Sequence, residues 1–292
     1  DILYSKQLMS PSIVAYFISK ILRIPLIAHT AGPDIQSIEF MSSNVPSIFS
    51  KIYYIIFSWL RLHVLKYSSA IICNCKADFV ALQEIYKNNK SVIIYNGLNL
   101  NKFKFKGKAR NDIRDKYNIK DSETVVIYTG QANKQKQTDR LLEITKINSK
   151  FKFFIVGPKV EDLLDFGTIN KNVIVTGPIY RNIEDYLSAA DIFILPSKYE
   201  GLSNSLLEAL SVGLPVIATP VGEAKYIIDH KKNGILSKVE KFPVWLDKLV
   251  KNDALRNTIK NKTRKMVENK FNWSQNARKM SKLFKRVKTM QK

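Results

Sequence analysis

The sequence predicts an α/β protein of two Rossmann-like, doubly wound units. Two observations carry the prediction. Short apolar runs alternate with amphipathic stretches along the whole chain, the pattern of βα units on a parallel sheet. A polar, lysine-rich stretch at residues 101–118 splits these units into two series, so two sheets are expected rather than one.

In the first series, residues 2–4 read as a strand, 12–22 as a helix and 25–29 as a strand ending at His29, followed by a loop with Gly32, Pro33 and Asp34. An aromatic helical stretch, 48–65, leads to a strand at 70–75, a helix at 77–86 and a strand at 92–95 that closes on the turn signal Asn96-Gly97. The polar stretch 101–118 reads as a linker running into the first helix of the second series. Strands at 124–129, 151–156, 173–176, 192–195 and 216–219 then alternate with helices at 139–147, 183–190, 205–212 and 223–229. The tail, 253–292, is helical and basic, with a break at Phe271-Asn272-Trp273-Ser274 and Ser274 as the expected cap of the last helix. No internal repeat or low-complexity segment interrupts the order.

Composition narrows the classes. With 292 residues, 45% of them hydrophobic, the chain can bury two cores. Its two cysteines, Cys73 and Cys75, fall two apart on an expected strand, poorly placed for a disulfide and too few for a cysteine zinc site. The formal charge is +22, from 47 Lys+Arg against 25 Asp+Glu. Nucleic acid, an anionic membrane face and phosphorylated substrates all suit such a balance. No nucleic-acid module accompanies the charge, and a general lysine bias accounts for part of it. Residues 48–65 carry Lys51, Arg61 and His63 among Tyr53, Tyr54, Phe57 and Trp59. That mixture fits an interfacial helix or a half-buried core helix, and is too charged to span a bilayer. The chain opens at Asp1 with a strand following at once, so it is read as lacking its N-terminus.

The most informative segment runs from Asp191 to Thr219. The apolar run 192–195 is a buried strand, Pro196, Ser197 and Gly201 mark a turn, and Ser203, Asn204 and Ser205 are each good helix caps. Glu200 then lies in a loop and Glu208 about one turn into a helix. Free N–H groups at that helix start suit a phosphate, and a carboxylate one turn further in suits a sugar diol. A second loop, Gly130-Gln-Ala-Asn-Lys-Gln-Lys136, follows a strand directly and so sits at the sheet edge where ligands bind.

Glu200-Gly-Leu-Ser-Asn-Ser-Leu-Leu-Glu208-Ala-Leu, with Gly213-Leu-Pro-Val-Ile-Ala-Thr219 behind it, resembles the signature of the retaining nucleotide-sugar glycosyltransferases of family 4 type, the glycosyl transferases group 1. The resemblance implies a GT-B fold, two Rossmann-like domains facing a cleft. Residues 1–105 would be a partial acceptor-side domain, 106–272 the nucleotide-sugar domain and 273–292 a helix crossing back to the first. It implies transfer of a sugar from a nucleoside-diphosphate sugar, UDP ahead of GDP, to a glycan or lipid-linked acceptor in cell-surface polysaccharide synthesis. The donor is a substrate, no cofactor and no metal is expected, and the setting is cytoplasmic, at the inner face of the cytoplasmic membrane.

The same resemblance assigns residues. Gly130, Lys134, Lys136, Gly201, Leu202, Ser203, Asn204, Ser205 and Glu208 would hold the donor, with Glu208 on the ribose. Lys136 would stabilise the departing diphosphate and Glu200 would contact the donor sugar. His29, at the end of its strand, would face the reacting carbon. Gln131 stands where the family has Arg, which removes a cation and a bidentate contact. Gly157-Pro158 and Gly177-Pro178 would frame the base, Gly222-Glu223 the diphosphate, and Asn96-Gly-Leu-Asn99 would close the first domain. His63 and His230 have no such context. Two alternatives remain at this level: a non-catalytic nucleotide-sugar or nucleic-acid binding protein, and a nucleotide-sugar epimerase of the same fold.

Overall fold

The computed structural model describes residues 1–8, 10–30 and 48–290. Contacts divide the chain into two units: Asp1–Gly97 with Glu200–Leu202 and Trp273–Lys292, and Leu98–Tyr199 with Ser203–Asn272. The expected Gly32-Pro33-Asp34 loop lies outside the described residues, as do the side chains of Lys51, Tyr53 and Tyr54.

In the first unit, strands β1 (Leu3–Lys6), β2 (Leu26–His29), β3 (Ala70–Cys73) and β4 (Ser91–Ile93) form a parallel sheet in that order. Helices α1 (Ser10–Leu22), α2 (Ile48–Tyr67) and α3 (Lys76–Ile85) connect them. Side chains alternate across the sheet. Leu26, Ala28, Ile71 and Cys73 pack with Tyr16, Val64, Leu65 and Leu82 on one face. Ile27, Ala70 and Ile72 pack on the other face with Leu283 and Val287. Those two belong to the last helix, α12 (Trp273–Thr289). Covering both faces explains why these strands read as unbroken apolar runs. Each leucine, isoleucine and valine among them contributes about 2 kcal/mol of burial.

Two expectations need correction here. β3 ends at Cys73, not Cys75: Cys75 caps α3, its Sγ accepting from Asp78 N at 3.3 Å. Both thiols are free and buried, and burial, with Asp78 nearby, pushes Cys73 up to about 12. The last helix begins at Trp273, so Ser274 sits inside its first turn rather than capping it. Gly97 lies so close to Trp273 that an added Cβ would stand 2.4 Å from its Cα.

The second unit contains α4 (Gly107–Lys116), β5 (Val125–Thr129), α5 (Thr138–Ile147), β6 (Lys152–Val156), α6 (Val160–Leu164), β7 (Val173–Gly177), α7 (Ile183–Ala189), β8 (Ile192–Leu195), α8 (Asn204–Val212), β9 (Val216–Ala218), α9 (Ala224–Ile227), β10 (Ile235–Leu236), α10 (Phe242–Lys251) and α11 (Asp253–Lys270). Its parallel sheet has the order β10-β9-β8-β5-β6-β7. The strand order reverses between β5 and β8, which are paired through Val126↔Ile192 and Ile127↔Phe193. Ligands bind outside the carboxyl ends of strands at such a reversal.

α4 is fixed to this sheet by charge. Arg110 donates to Asp191 Oδ1 at 2.7 Å and the buried Arg114 to Oδ2 at 3.1 Å, while Val125 N donates to Oδ2 at 2.8 Å. One carboxylate thus joins a helix to the starts of β5 and β8. The segment preceding α4 is also strapped down: Arg264 donates to Leu100 O and Phe103 O, and Ser211 Oγ to Phe103 O at 2.6 Å.

Candidate donor site at the sheet edge

The loop 130–137 after β5 is a folded turn, not an open basic loop. Asn133 organises it: its Oδ1 accepts from Lys136 N at 2.9 Å, and its own N donates to Thr138 Oγ1 at 2.9 Å. Tyr128 Oη donates to Gln131 O at 2.7 Å. Gln137 takes a left-handed conformation before α5. The Gln131 and Lys134 side chains are exposed, and Lys136 is half-buried.

β5 and β8 are neighbours, so the loops after them meet. Gln135 joins them: its Nε2 donates to Tyr199 O at 3.0 Å, and its carbonyl accepts from Lys198 N at 2.7 Å. Neither Gln135 nor Asn133 stood out in the sequence. A Gly-rich basic loop draws the eye to its lysines, and only the sheet order tells which residue faces which.

Beyond Tyr199 the chain passes through Glu200, Gly201 and Leu202, which group with the first unit. Glu200 is buried. α8 then starts with Ser203 as its cap, the Oγ accepting from Leu206 N at 3.4 Å and lying 3.0 Å from Ser205 Oγ. Of the three candidate caps, Ser203 takes the role and Asn204 becomes the first helical residue. The start of α8 follows the same β8 loop that Gln135 holds.

Glu208 lies one turn into α8. Burial pushes its carboxyl up to about 7; Lys102 opposes this and Glu184 adds to it. Glu184, at the start of α7, is buried and paired to Lys106 Nζ at 3.0 Å and Lys102 Nζ at 3.7 Å. Lys102 and Glu184 therefore belong to the electrostatics of Glu208, and no local motif marked them.

Further along the edge, Gly130 N donates to Val156 O and Gly157 N to Gly177 O, both at 3.0 Å. Gly157 has φ +120°, and a Cβ there would stand 2.2 Å from Gly130 O. Only glycine fits. Gly157 and Gly177 thus close the ends of β6 and β7 beside the Gly130 loop. Glu223, expected to open a helix, is buried next to the start of α9.

In the first unit, His29 ends β2 and is buried, with Nδ1 against Tyr4 Oη. Burial, with the Lys6 charge, pushes it down to about 4, so the ring is neutral at pH 7. His63 and His230 hold structural positions: His63 Nδ1 meets Trp59 O at 2.9 Å, and His230 accepts from Leu236 N at 3.2 Å and packs on Trp245. Cavities of about 220 and 490 Å³ in the second unit are lined by Asp191 and Lys260 at the amino edge of the sheet and hold none of the expected donor residues. Among the described residues no acidic, histidine or cysteine cluster suits a metal ion.

The model of a family described as glycosyl transferases group 1 matches residues 109–266. The chain is 25% identical over 267 residues to UDP-Gal:alpha-D-GlcNAc-diphosphoundecaprenol alpha-1,3-galactosyltransferase of Escherichia coli, covering 85% of this chain and 66% of that protein. It is 28% identical over 225 residues to the capsular polysaccharide biosynthesis glycosyltransferase CapM of Staphylococcus aureus, covering 68% of this chain and 58% of that one. The chain thus spans roughly three-fifths to two-thirds of these relatives. Among solved structures, Anabaena HepE in complex with UDP superposes with a TM-score of 0.82 at 18% identity, over 98% of this chain and 78% of HepE. Sucrose-phosphate synthase of Thermosynechococcus elongatus also gives 0.82 at 18% identity, over 99% and 74%. These likenesses show the fold, the GT-B type with two Rossmann-like units.

Proposed function

Because the chain belongs to the glycosyl transferases group 1 family, we propose that it serves transfer of a sugar from a nucleoside-diphosphate sugar to a hydroxyl of a glycan or lipid-linked acceptor in cell-surface polysaccharide synthesis. The acceptor class rests on the named activities of the Escherichia coli and Staphylococcus aureus relatives. UDP is placed ahead of GDP because HepE was solved with UDP.

One observation carries the reading. Gln135 binds the Gly130 loop to the β8 loop at the reversal point of the sheet, so a basic loop and a capped helix start are held at the edge where such sheets take nucleotides. In the proposal, Lys136 and Lys134 and the N–H groups of Leu202 to Ser205 meet the diphosphate, with Gln131 supplying a neutral contact where relatives of this type have Arg. Glu208 accepts from the ribose hydroxyls, Glu200 and Gly201 lie at the donor sugar, and His29 serves the reacting carbon. The bond from the anomeric carbon to the diphosphate oxygen breaks and a bond to the acceptor oxygen forms on the same face. The acceptor's proton leaves with the diphosphate. These cations and N–H groups stabilise the leaving charge, and the proposal includes no metal. It places the protein in the cytoplasm, against the inner membrane face.

Calorimetry with UDP and GDP on this chain and on Glu208→Ala tests the proposal. Micromolar binding of UDP that is lost in the variant is expected. A folded chain that binds neither nucleotide, or a variant that binds as well as the parent, overturns the donor-site assignment.

A further inference from the structure

Glu208 is the one charged residue of α8, and the strands beside that helix, β8 and β9, carry none. The charge around it therefore comes from other elements. Ser211 shows which segment lies along its face. Three residues separate Ser211 from Glu208, so the two share one side of α8. Ser211 Oγ donates to Phe103 O at 2.6 Å. Arg264 of α11 donates to the same carbonyl, to Ser211 O at 2.8 Å and to Leu100 O at 3.0 Å. Asn99 O accepts from Lys102 N at 3.1 Å and Phe103 N at 3.0 Å. Residues 99–103 are thus a turn clamped against α8, with the backbone of Lys102 fixed inside it. Its side chain remains 42% exposed.

The Lys102 ammonium meets Glu184, on the neighbouring helix α7, at 3.7 Å. Glu184 is buried, and its two oxygens are served unequally. Oε1 accepts from Lys106 Nζ at 3.0 Å, and the same ammonium donates to Asp185 Oδ1 at 2.9 Å. Oε2 has only the loose Lys102 contact and no hydrogen bond among the described residues. α7 packs on α8, which brings Glu184 toward Glu208. The remaining charges on this side are engaged elsewhere. Arg264 is held by the carbonyls above and by Glu268 at 2.7 Å, and Lys260 lines the cavity beside Gly213 at the other end of α8. Lys102 from the turn and Glu184 from α7 are the two charges left to act on Glu208, and they act in opposite senses.

We propose that Lys102 is a positioning residue shared between two carboxylates, Glu184 and Glu208, and that this sharing sets how readily Glu208 is ionised when a nucleotide arrives. The inference rests on the ribose role given to Glu208 above. A diol donates best to an ionised carboxylate. Glu208 titrates at about 7, so near neutral pH the pull of Lys102 decides what fraction of chains is ready for the ribose. Glu184 opposes it twice, by its own charge and by holding the ammonium.

Calorimetric UDP affinity over roughly pH 5 to 9 tests this on the parent, Lys102→Met, Lys102→Arg and Glu184→Gln. Lys102→Met should raise the midpoint of the affinity profile by about one unit, making UDP about tenfold weaker on the acid side and converging with the parent at alkaline pH. Glu184→Gln should lower the midpoint and tighten UDP by a similar factor on the acid side. Lys102→Arg should keep the parental midpoint. Lys102 is half-exposed, so its variants should fold and decide the matter even if Glu184→Gln does not. A merely structural role for Lys102 would weaken UDP by the same factor at every pH. That result, an unmoved midpoint in Lys102→Met, or midpoints that move the same way in Lys102→Met and Glu184→Gln, overturns the inference and leaves the donor reading standing. A folded parent that binds no UDP at any pH overturns the donor reading and this inference with it.

Discussion

The Tyr4 hydroxyl lies against Nδ1 of His29 across the paired strands β1 and β2. Burial raises the tyrosine above its ordinary value of 10.0, so it keeps its proton. A phenol is a better hydrogen-bond donor than a neutral imidazole N–H, so the pair should favour the tautomer in which Tyr4 donates to Nδ1 and the ring carries its proton on Nε2. Nε2 is buried and meets no hydrogen-bond partner among the described residues. Tyr4→Phe should release this preference, and nitrogen NMR of the ring should show the Nδ1–H tautomer gaining population. An unchanged tautomer ratio would remove Tyr4 from the account.

His29 also predicts acid lability. Its ordinary value is 6.5 and its folded value about 4, so between the two the unfolded chain binds more protons. The stability it contributes is present above pH 6.5 and is lost as pH falls through 4. Thermal melts of the parent should fall more steeply over that window than those of His29→Gln. Parallel curves would contradict the assignment.

Glu208 behaves in the opposite sense. Its carboxyl moves from 4.5 to about 7 in the folded chain. The stability it contributes is present below 4.5 and is lost as pH rises through 7. Glu208→Gln should therefore stabilise the nucleotide-free chain at alkaline pH while weakening UDP. An ionised carboxylate accepts from both ribose hydroxyls, so UDP affinity should rise from acid pH to a plateau above about 7, with net proton release on binding. The Gln variant should show a flat profile. Affinity that falls as pH rises would rule out the ionised ribose contact.

Asp191 holds Arg110, Arg114 and the start of β5 together. Asp191→Ala leaves the buried Arg114 without its ion pair and should destabilise the second unit by about 3 kcal/mol, read from denaturant midpoints. A loss below about 1 kcal/mol would show that the carbonyl of Glu123, which also accepts from Arg114, suffices.

Gln135→Ala should cost about 1–2 kcal/mol in nucleotide binding, roughly tenfold in affinity, by loosening the two loops. Its melting temperature should change little, because the substitution removes only the Nε2 contact to Tyr199 O at the sheet edge and keeps the backbone bond from Lys198 N. Equal effects on stability and affinity would make Gln135 a fold residue only.

Local pattern carried the strand and helix order and the loops of the site, because β2, β3, β5, β8 and β9 are buried along their whole length and so read as apolar runs. Partnerships across long sequence separations were not legible. Gln135 reaches Tyr199, and Lys102 reaches Glu184, only because β5 adjoins β8 and the strapped segment before α4 passes α7. Cys75 looked like a strand residue because its thiol can cap a helix as well as fill a core. The short β10 and α6 have too few residues for a period, and α10, with Pro243 in its first turn, went unread. α1 was legible as a helix but not in its orientation: Val14, Phe17, Ile18 and Ile21 are exposed while Ser12, Ala15, Tyr16 and Ser19 are buried, since periodicity reveals a face without saying what it meets.

The Gln135 contact bears on how new donor preferences could be built into this scaffold. Its two loops are far apart in sequence but behave as one part. A transplant of residues 130–137 brings Gln135 with it, and the carbonyl at Tyr199 and the N–H at Lys198 that it meets are backbone groups that any non-proline residue supplies. The exchange therefore depends on the path of the loop after β8 and not on its side chains, so a recipient whose β8 loop differs in length would fold and yet leave the two loops unjoined.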